Sequence, residues 1–226
     1  MDKYELVRRI ENFAPLDTQE PWDASGWIVE TEKKNIQKIM LCLTVTQEVI
    51  NQAKNCDMII SHHPLFSVPI EWKIKDIYCA HTNFDLANGG TTDTLIKELF
   101  PIYEGTITDL GFLRFVDANI SVSEFANILR KISPNLRYVN NKSIKQLKRI
   151  AFCAGSGSEF IKEAQENGAD ALVTGDVKFH TAIESPIILF DIGHFESEIN
   201  GLKVFEEILS SDIEIIYARE KSPFIY

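Results

Sequence analysis

Residues 38–62, KIMLCLTVTQEVINQAKNCDMIISH, decide the fold. The first seven, KIMLCLT, form an apolar run suited to a strand buried on both faces. Residues 46–55 read as a helix, and 57–61, DMIIS, as a second buried strand. Strand, helix and strand in this order make the unit that builds a parallel sheet. The pattern then recurs at 149–175, RIAFCAGSGSEFIKEAQENGADALVTG. Cys42 matches Cys153, Glu48 matches Glu159, Ile50 matches Ile161 and Ala53 matches Ala164. After a two-residue insertion, Asp57 matches Asp170 and Ser61 matches Thr174. Two unrelated units could converge on similar apolar spacing. The matched polar residues favour an internal duplication instead. In this alignment His62 and His63 fall opposite Gly175 and Asp176.

The rest of the chain continues the alternation. A strand is expected at 76–81, a helix at 92–100 and a strand at 111–116. Ser121 and Glu124 form a capping box that opens a helix to about 132. A strand near 136–139 follows. Within the repeat, 149–154, 158–167 and 170–174 read as strand, helix and strand. Residues 187–191 read as a strand, 195–210 as a helix and 213–218 as a strand. The N-terminal MDKYELVRRIENF reads as an amphipathic helix. The expected fold is α/β: two similar, internally duplicated units with a largely parallel or mixed sheet.

Composition narrows the function. The chain has 226 residues, 45% hydrophobic and 25% charged, which is ordinary globular usage. Its formal net charge of -10 argues against a nucleic-acid partner, which favours a basic face. No apolar stretch approaches the ~20 residues that span a bilayer, so no membrane partner is expected. The N-terminus lacks the apolar core of a signal peptide. The four cysteines form no CxxC pair and read as reduced, mostly buried thiols. A cytoplasmic location is expected.

The five histidines, 62, 63, 81, 180 and 194, all fall at the ends of expected strands or in the turns after them. In open α/β sheets, sites form outside the carboxyl ends of the strands. His62 and His63 leave a hydrophobic strand and precede Pro64. By themselves they read equally well as metal ligands or as a surface pair, and the buried strand that delivers them favours ligands. Asp85, in HTNFDLANGG, is a candidate bridging carboxylate; alone it would read as a turn residue. His194 and Glu198, in DIGHFESE, are spaced i and i+4 and share a helical face. Glu196 points elsewhere. His180, in TGDVKFH, reads equally as a general acid or base and as a surface histidine. CAGSGSEF reads as a tight strand-to-helix turn, since it matches no phosphate-binding fingerprint. Nitrogen and oxygen donors without thiolate suit Zn, Mn, Fe, Co or Ni. Hydrolysis is the natural reaction of such a centre.

WDASG at 22–26, SHHPLF at 61–66, HTNFDLANGG at 81–90, TGDVKFH at 174–180 and DIGHFESE at 191–198 occur together in one order. In this the chain resembles the GTP cyclohydrolase I type 2 homologues, also called interacting-factor-three-like proteins. The resemblance runs from about residue 10 to the end. It implies a dinuclear centre held by His62, His63, Asp85, His194 and Glu198, and prefers Asp85 to His81. It implies two intertwined three-layer α/β/α units. The first would cover 1–103 and be completed by 187–226; the second would cover 104–186. It also implies a homo-oligomer, a toroidal hexamer, and a small-molecule substrate of which GTP is the best-named example. The expected function is a metal-dependent hydrolase, with His81 and His180 moving protons. The alternative is a non-catalytic metal-binding, metal-handling or adaptor protein.

Overall fold

In a computed structural model, described over residues 1–101, 105–209 and 213–224, both copies of the repeat form strand, helix and parallel strand. The strands, in chain order, are β1 (Gly26–Val29), β2 (Lys38–Cys42), β3 (Met58–Ser61), β4 (Asp76–Cys79), β5 (Thr108–Leu110), β6 (Leu113–Ser121), β7 (Arg137–Val139), β8 (Gln146–Phe152), β9 (Ala171–Thr174), β10 (Ile188–Asp191) and β11 (Glu214–Tyr217). The helices are α1 (Lys3–Phe13), α2 (Gln47–Gln52), α3 (Thr82–Leu86), α4 (Thr91–Leu99), α5 (Val122–Leu129), α6 (Ile161–Glu166), α7 (Phe179–Glu184), α8 (His194–Glu198) and α9 (Leu202–Leu209).

The chain divides into two compact units. One is Met1–Gly90 with Gly201–Lys221, and the other is Thr91–Asn200 with Ser222–Tyr226. The first holds a five-stranded sheet in the order β1-β4-β3-β2-β11. Its four strands from β4 to β11 run parallel, and β1 closes the edge antiparallel. Apart from Lys38 at the start of β2 the interior strands are buried, which explains their apolar runs. On one face Val49 and Ala53 of the α2 region, with Trp72, cover Met40, Ile59 and Ile77. Elsewhere in this unit α1 packs on α9, and α9 on β2. Asp2 caps α1 by accepting from the N–H groups of Tyr4 and Glu5.

The second unit holds a six-stranded mixed sheet in the order β5-β6-β8-β9-β10-β7. Its centre, β8, β9 and β10, is parallel and the flanking strands are antiparallel. One face packs Leu95, Ile96, Phe125 and Leu129 against Phe152, Val173 and Phe190. Phe125 meets Phe152 and Phe190 edge-on. The other face packs Phe115, Leu172 and Leu189 around Ala164 of α6. The expected capping box at Ser121 and Glu124 is present in full.

The division differs from the expected breaks at 103/104 and 186/187. Helix α4 buries its apolar side in the second unit's core. Strand β10 lies inside the second sheet, between β9 and β7. Only Gly201–Lys221 returns to the first unit. Strands β1 and β5 and helices α3 and α7, each six residues or fewer, escape the sequence reading.

The repeat extends to individual hydrogen bonds. The Asp57 carboxylate accepts from the backbone N–H groups of Gln37 (2.7 Å) and Lys38 (3.0 Å). Asp170 accepts likewise from Lys148 (2.6 Å) and Arg149 (3.1 Å). The two aspartates' own N–H groups donate to Lys38 O and Arg149 O, both at 2.8 Å. Each aspartate thus locks the start of one parallel strand to the next. Burial pushes the Asp57 carboxyl up, but Lys33 and the two amides outweigh it and hold it below the usual carboxylate value.

Asp57→Ala and Asp170→Ala should each lower the free energy of unfolding by about 1–3 kcal/mol. The Asp57 pKa is depressed on folding, so its contribution is present above the unfolded value and lost as pH falls through the folded one. Urea titration should show the gap between wild type and Asp57→Ala narrowing from about pH 7 to about pH 3. An undiminished gap at the acid end would refute the ionic account.

Candidate metal centre

The carboxyl ends of parallel strands gather the histidines, as the sheet architecture requires. In the first unit β3 ends at Ser61, and His62 and His63 follow directly. The end of the neighbouring β4 delivers His81, which precedes α3. Ligand atoms of His62, His63 and His81 lie within 4.8 Å of one another. Asp85, one turn along α3, places Oδ1 3.5 Å from His62 Nε2. His62 is buried. The two adjacent imidazoles therefore do converge, with centroids 5.0 Å apart.

Each ring is held by its other nitrogen. His62 Nδ1 donates to Ala80 O at 3.0 Å. His81 Nδ1 donates to Asp23 Oδ1 at 2.9 Å. His63 Nδ1 bonds Thr44 Oγ1 at 2.7 Å. A carbonyl or carboxylate oxygen only accepts, so Nδ1 of His62 and His81 must carry hydrogen. Nε2 is then the nitrogen each ring offers to a metal. Burial, then His62, pulls the His81 pKa down against the pull of Asp85 and Asp23. That keeps the ring neutral and a competent donor.

Residues outside the histidine turns build this arrangement. Asp23 of the WDASG loop accepts from His81, from the Thr82 N–H (3.0 Å) and from Thr82 Oγ1 (2.5 Å). Burial pushes the Asp23 carboxyl up, but these partners outweigh it and hold it at about 2. Trp22 meets the His81 ring edge-on. Glu220 accepts from the Leu43 N–H (2.7 Å) and the Thr44 N–H (3.0 Å), fixing the turn that carries Thr44. The sequence reading named WDASG only as part of a resemblance and did not single out Thr44 or Glu220. Nothing in Glu220's local sequence signals its role, because its partners lie 177 and 176 positions away.

In the second unit His194 opens α8 at the end of β10. Its Nε2 lies 3.1 Å from Glu198 Oε2, so the expected i, i+4 pair forms. Its Nδ1 donates to Asp176 Oδ2 at 2.8 Å. Glu198 is 2% exposed, and a carboxylate so buried calls for a cation or a donor beside it. Burial pushes the His194 pKa down, but Glu198 and then Asp176 reverse this and hold it up at about 9. A divalent ion taking Nε2 must displace that proton.

Glycines let α8 approach. Gly155 has φ +69°, and a Cβ there would stand 2.3 Å from Glu198 Oε1. A Cβ on Gly175 would stand 2.7 Å from the His194 backbone nitrogen. The Gly155 N–H donates to Ser197 Oγ at 2.9 Å. The CAGSGSEF segment is thus a tight turn that seats α8. Asp176 adopts φ +54°, a strained conformation for a residue with a side chain. His180 lies exposed on α7 beside Phe179, in neither histidine group.

A family model described as Duf34/NIF3 (NGG1p interacting factor 3) matches residues 1–223. The chain belongs to this family. A Clostridium perfringens relative named "GTP cyclohydrolase 1 type 2 homolog" is 36% identical, with 97% of each chain covered. Among solved structures of similar fold, reduced HcgD from Methanocaldococcus jannaschii is 30% identical, with TM-score 0.82 over 97% of this chain and 98% of that one. Staphylococcus aureus protein SA1388 is 25% identical, with TM-score 0.85 over 100% of this chain and 99% of that one. Within the first unit the chain carries a group of three histidines, His62, His63 and His81, able to hold a metal.

Asp176→Asn keeps a side chain tolerant of positive φ but removes the charge that orients His194. It should weaken metal affinity roughly 10–100-fold, measured by competition with a chromophoric chelator. Unchanged affinity would show that Asp176 does not act through His194.

Proposed function

We propose that the protein is a dinuclear-metal-dependent hydrolase acting on a purine nucleotide, with GTP ring opening as the leading reaction. Its candidate ligands are His62, His63 and Asp85 in the first unit and His194 and Glu198 in the second. The observation carrying this reading is that all four of these candidate histidines, His81 included, are anchored through Nδ1 to an oxygen. Histidines that ligate metals are oriented in this way. The donor set is nitrogen and oxygen, suited to two ions of Zn, Mn, Fe, Co or Ni per chain. The names of the relatives support a nucleotide substrate.

When bound, such a pair supplies a Lewis acid and lowers the pKa of water at the site. The chain's own residues then have two tasks. His62, His63 and His194 would offer Nε2 from rings anchored through Nδ1, and Asp85 and Glu198 would offer carboxylate oxygens. His81, held by Asp23 through Nδ1, would take a proton from attacking water at Nε2. Attack of that water at guanine C8 would break one C8–N bond and leave a formamide, and a second water would hydrolyse the formamide to release formate. His180 would return a proton to the opened ring. In this reading the protein works in the cytoplasm as a homo-oligomer, a toroidal hexamer by resemblance. Among the described residues no helix is long and apolar enough to cross a membrane.

A metal-handling role is the second reading. It is favoured by His81, since three imidazoles and Asp85 in one unit already suffice to hold an ion. Elemental analysis of wild type and of the His63→Ala/Glu198→Ala double variant separates these cases. About two ions per chain in wild type, lost in the variant, with formate released from GTP, is the expected outcome. Metal present without turnover over a broad nucleotide panel would shift the assignment to metal handling. Wild type that takes up no metal after reconstitution would end both readings.

A further inference from the structure

A cavity of about 200 Å³ opens in the second unit, with Asn135, Arg137, Asp176, Asp191, Glu196 and Phe224 among its walls. Pockets for whole drug-sized ligands run to roughly 300–1,000 Å³. This one suits a single ring system. Its acidic residues are not equivalent. Asp191 is 7% exposed and committed to Arg137 and to the N–H groups of Val177 and Gly193. Asp176 is committed to His194.

Glu196 is placed differently. A Cβ built on Gly193 would stand 2.3 Å from Glu196 Oε2. The carboxylate therefore lies in the space that glycine leaves open, on the cavity wall. Gly193 also has φ +86°, so it both turns the chain and admits the carboxylate. Phe224, 62% exposed, supplies an aromatic surface to the same cavity.

We infer that this cavity is a base subsite in which Glu196 grips a 2-amino-oxopyrimidine edge, as guanine and pterins carry. An ionised carboxylate offers two acceptor oxygens and no donor. Its best planar partner presents two adjacent N–H donors, and guanine does so with N1–H and its 2-amino group. Adenine sets a ring acceptor beside its amino group, which opposes one carboxylate oxygen. Asn135 and Arg137 bring donors suited to the ring carbonyl, and Phe224 brings a stacking face. Asp176 forms part of the same wall, so an occupant would lie against the residue that orients His194. This deepens the nucleotide-hydrolase reading and rests on it for the expectation of a purine.

The test is calorimetric titration of the purified, metal-loaded protein with guanosine, inosine and a reduced pterin. Wild type and Glu196→Gln are compared, and the metal content of each is measured. Inosine lacks the 2-amino group and should bind wild type about tenfold more weakly than guanosine. Glu196→Gln should erase that difference at unchanged metal content. A pterin binding more tightly than guanosine, with the same loss in the variant, supports the subsite and makes pterins its source of the edge. Equal affinities for guanosine and inosine in wild type, no binding of any of the three, or metal lost from Glu196→Gln would each overturn the inference. Discrimination without GTP turnover would remove the hydrolase reading and leave the subsite. GTP turnover with unchanged KM in Glu196→Gln would remove the subsite and leave the hydrolase.

Discussion

Everything in this protein follows from strands buried on both faces. Such a strand has no room for a polar side chain along its length, so polar groups collect where it ends. Strand β3 is wholly buried from Met58 to Ser61, and His62 and His63 follow at once. Strand β10 is wholly buried from Ile188 to Asp191, and His194 stands three residues on. Asp57 closes the opposite end of the β2–β3 pair and Asp170 that of the β8–β9 pair, each through backbone amides. The repeat is thus a shared solution to one packing problem, solved twice in one chain.

An imidazole at such an end needs one nitrogen anchored before the other can do chemistry. The chain answers with a different oxygen each time: a backbone carbonyl for His62, a threonine hydroxyl for His63, and carboxylates for His81 and His194. The choice has electrostatic consequences. Against burial, two carboxylates hold a proton on His194, while His81 shares its surroundings with His62 and stays neutral. The two units therefore present different proton demands to any ion they take up.

The helical pair at 194 and 198 and the histidine pair at 62 and 63 were legible because their spacing is local. So was the capping box at 121. The boundary between the units was not. Residues 91–103 and 187–200 carry no composition shift, and their allegiance depends on which core buries Leu95 and which strands flank Ile188. The role of Glu196 was equally hidden. It points away from Glu198 on the helix, and only the open space over Gly193 gives its carboxylate a place.

Periodicity and repetition in the sequence determined the α/β class, the duplication and most candidate ligands, because strand and helix periods and i, i+4 spacing are properties of nearby residues. The tertiary structure alone decided which groups orient those ligands. Asp23 reaches His81 across 58 positions and Asp176 reaches His194 across 18. Such pairings arise where separate turns are carried to the same end of a sheet. Their energy comes from contacts that the packed chain creates, and no local pattern encodes them.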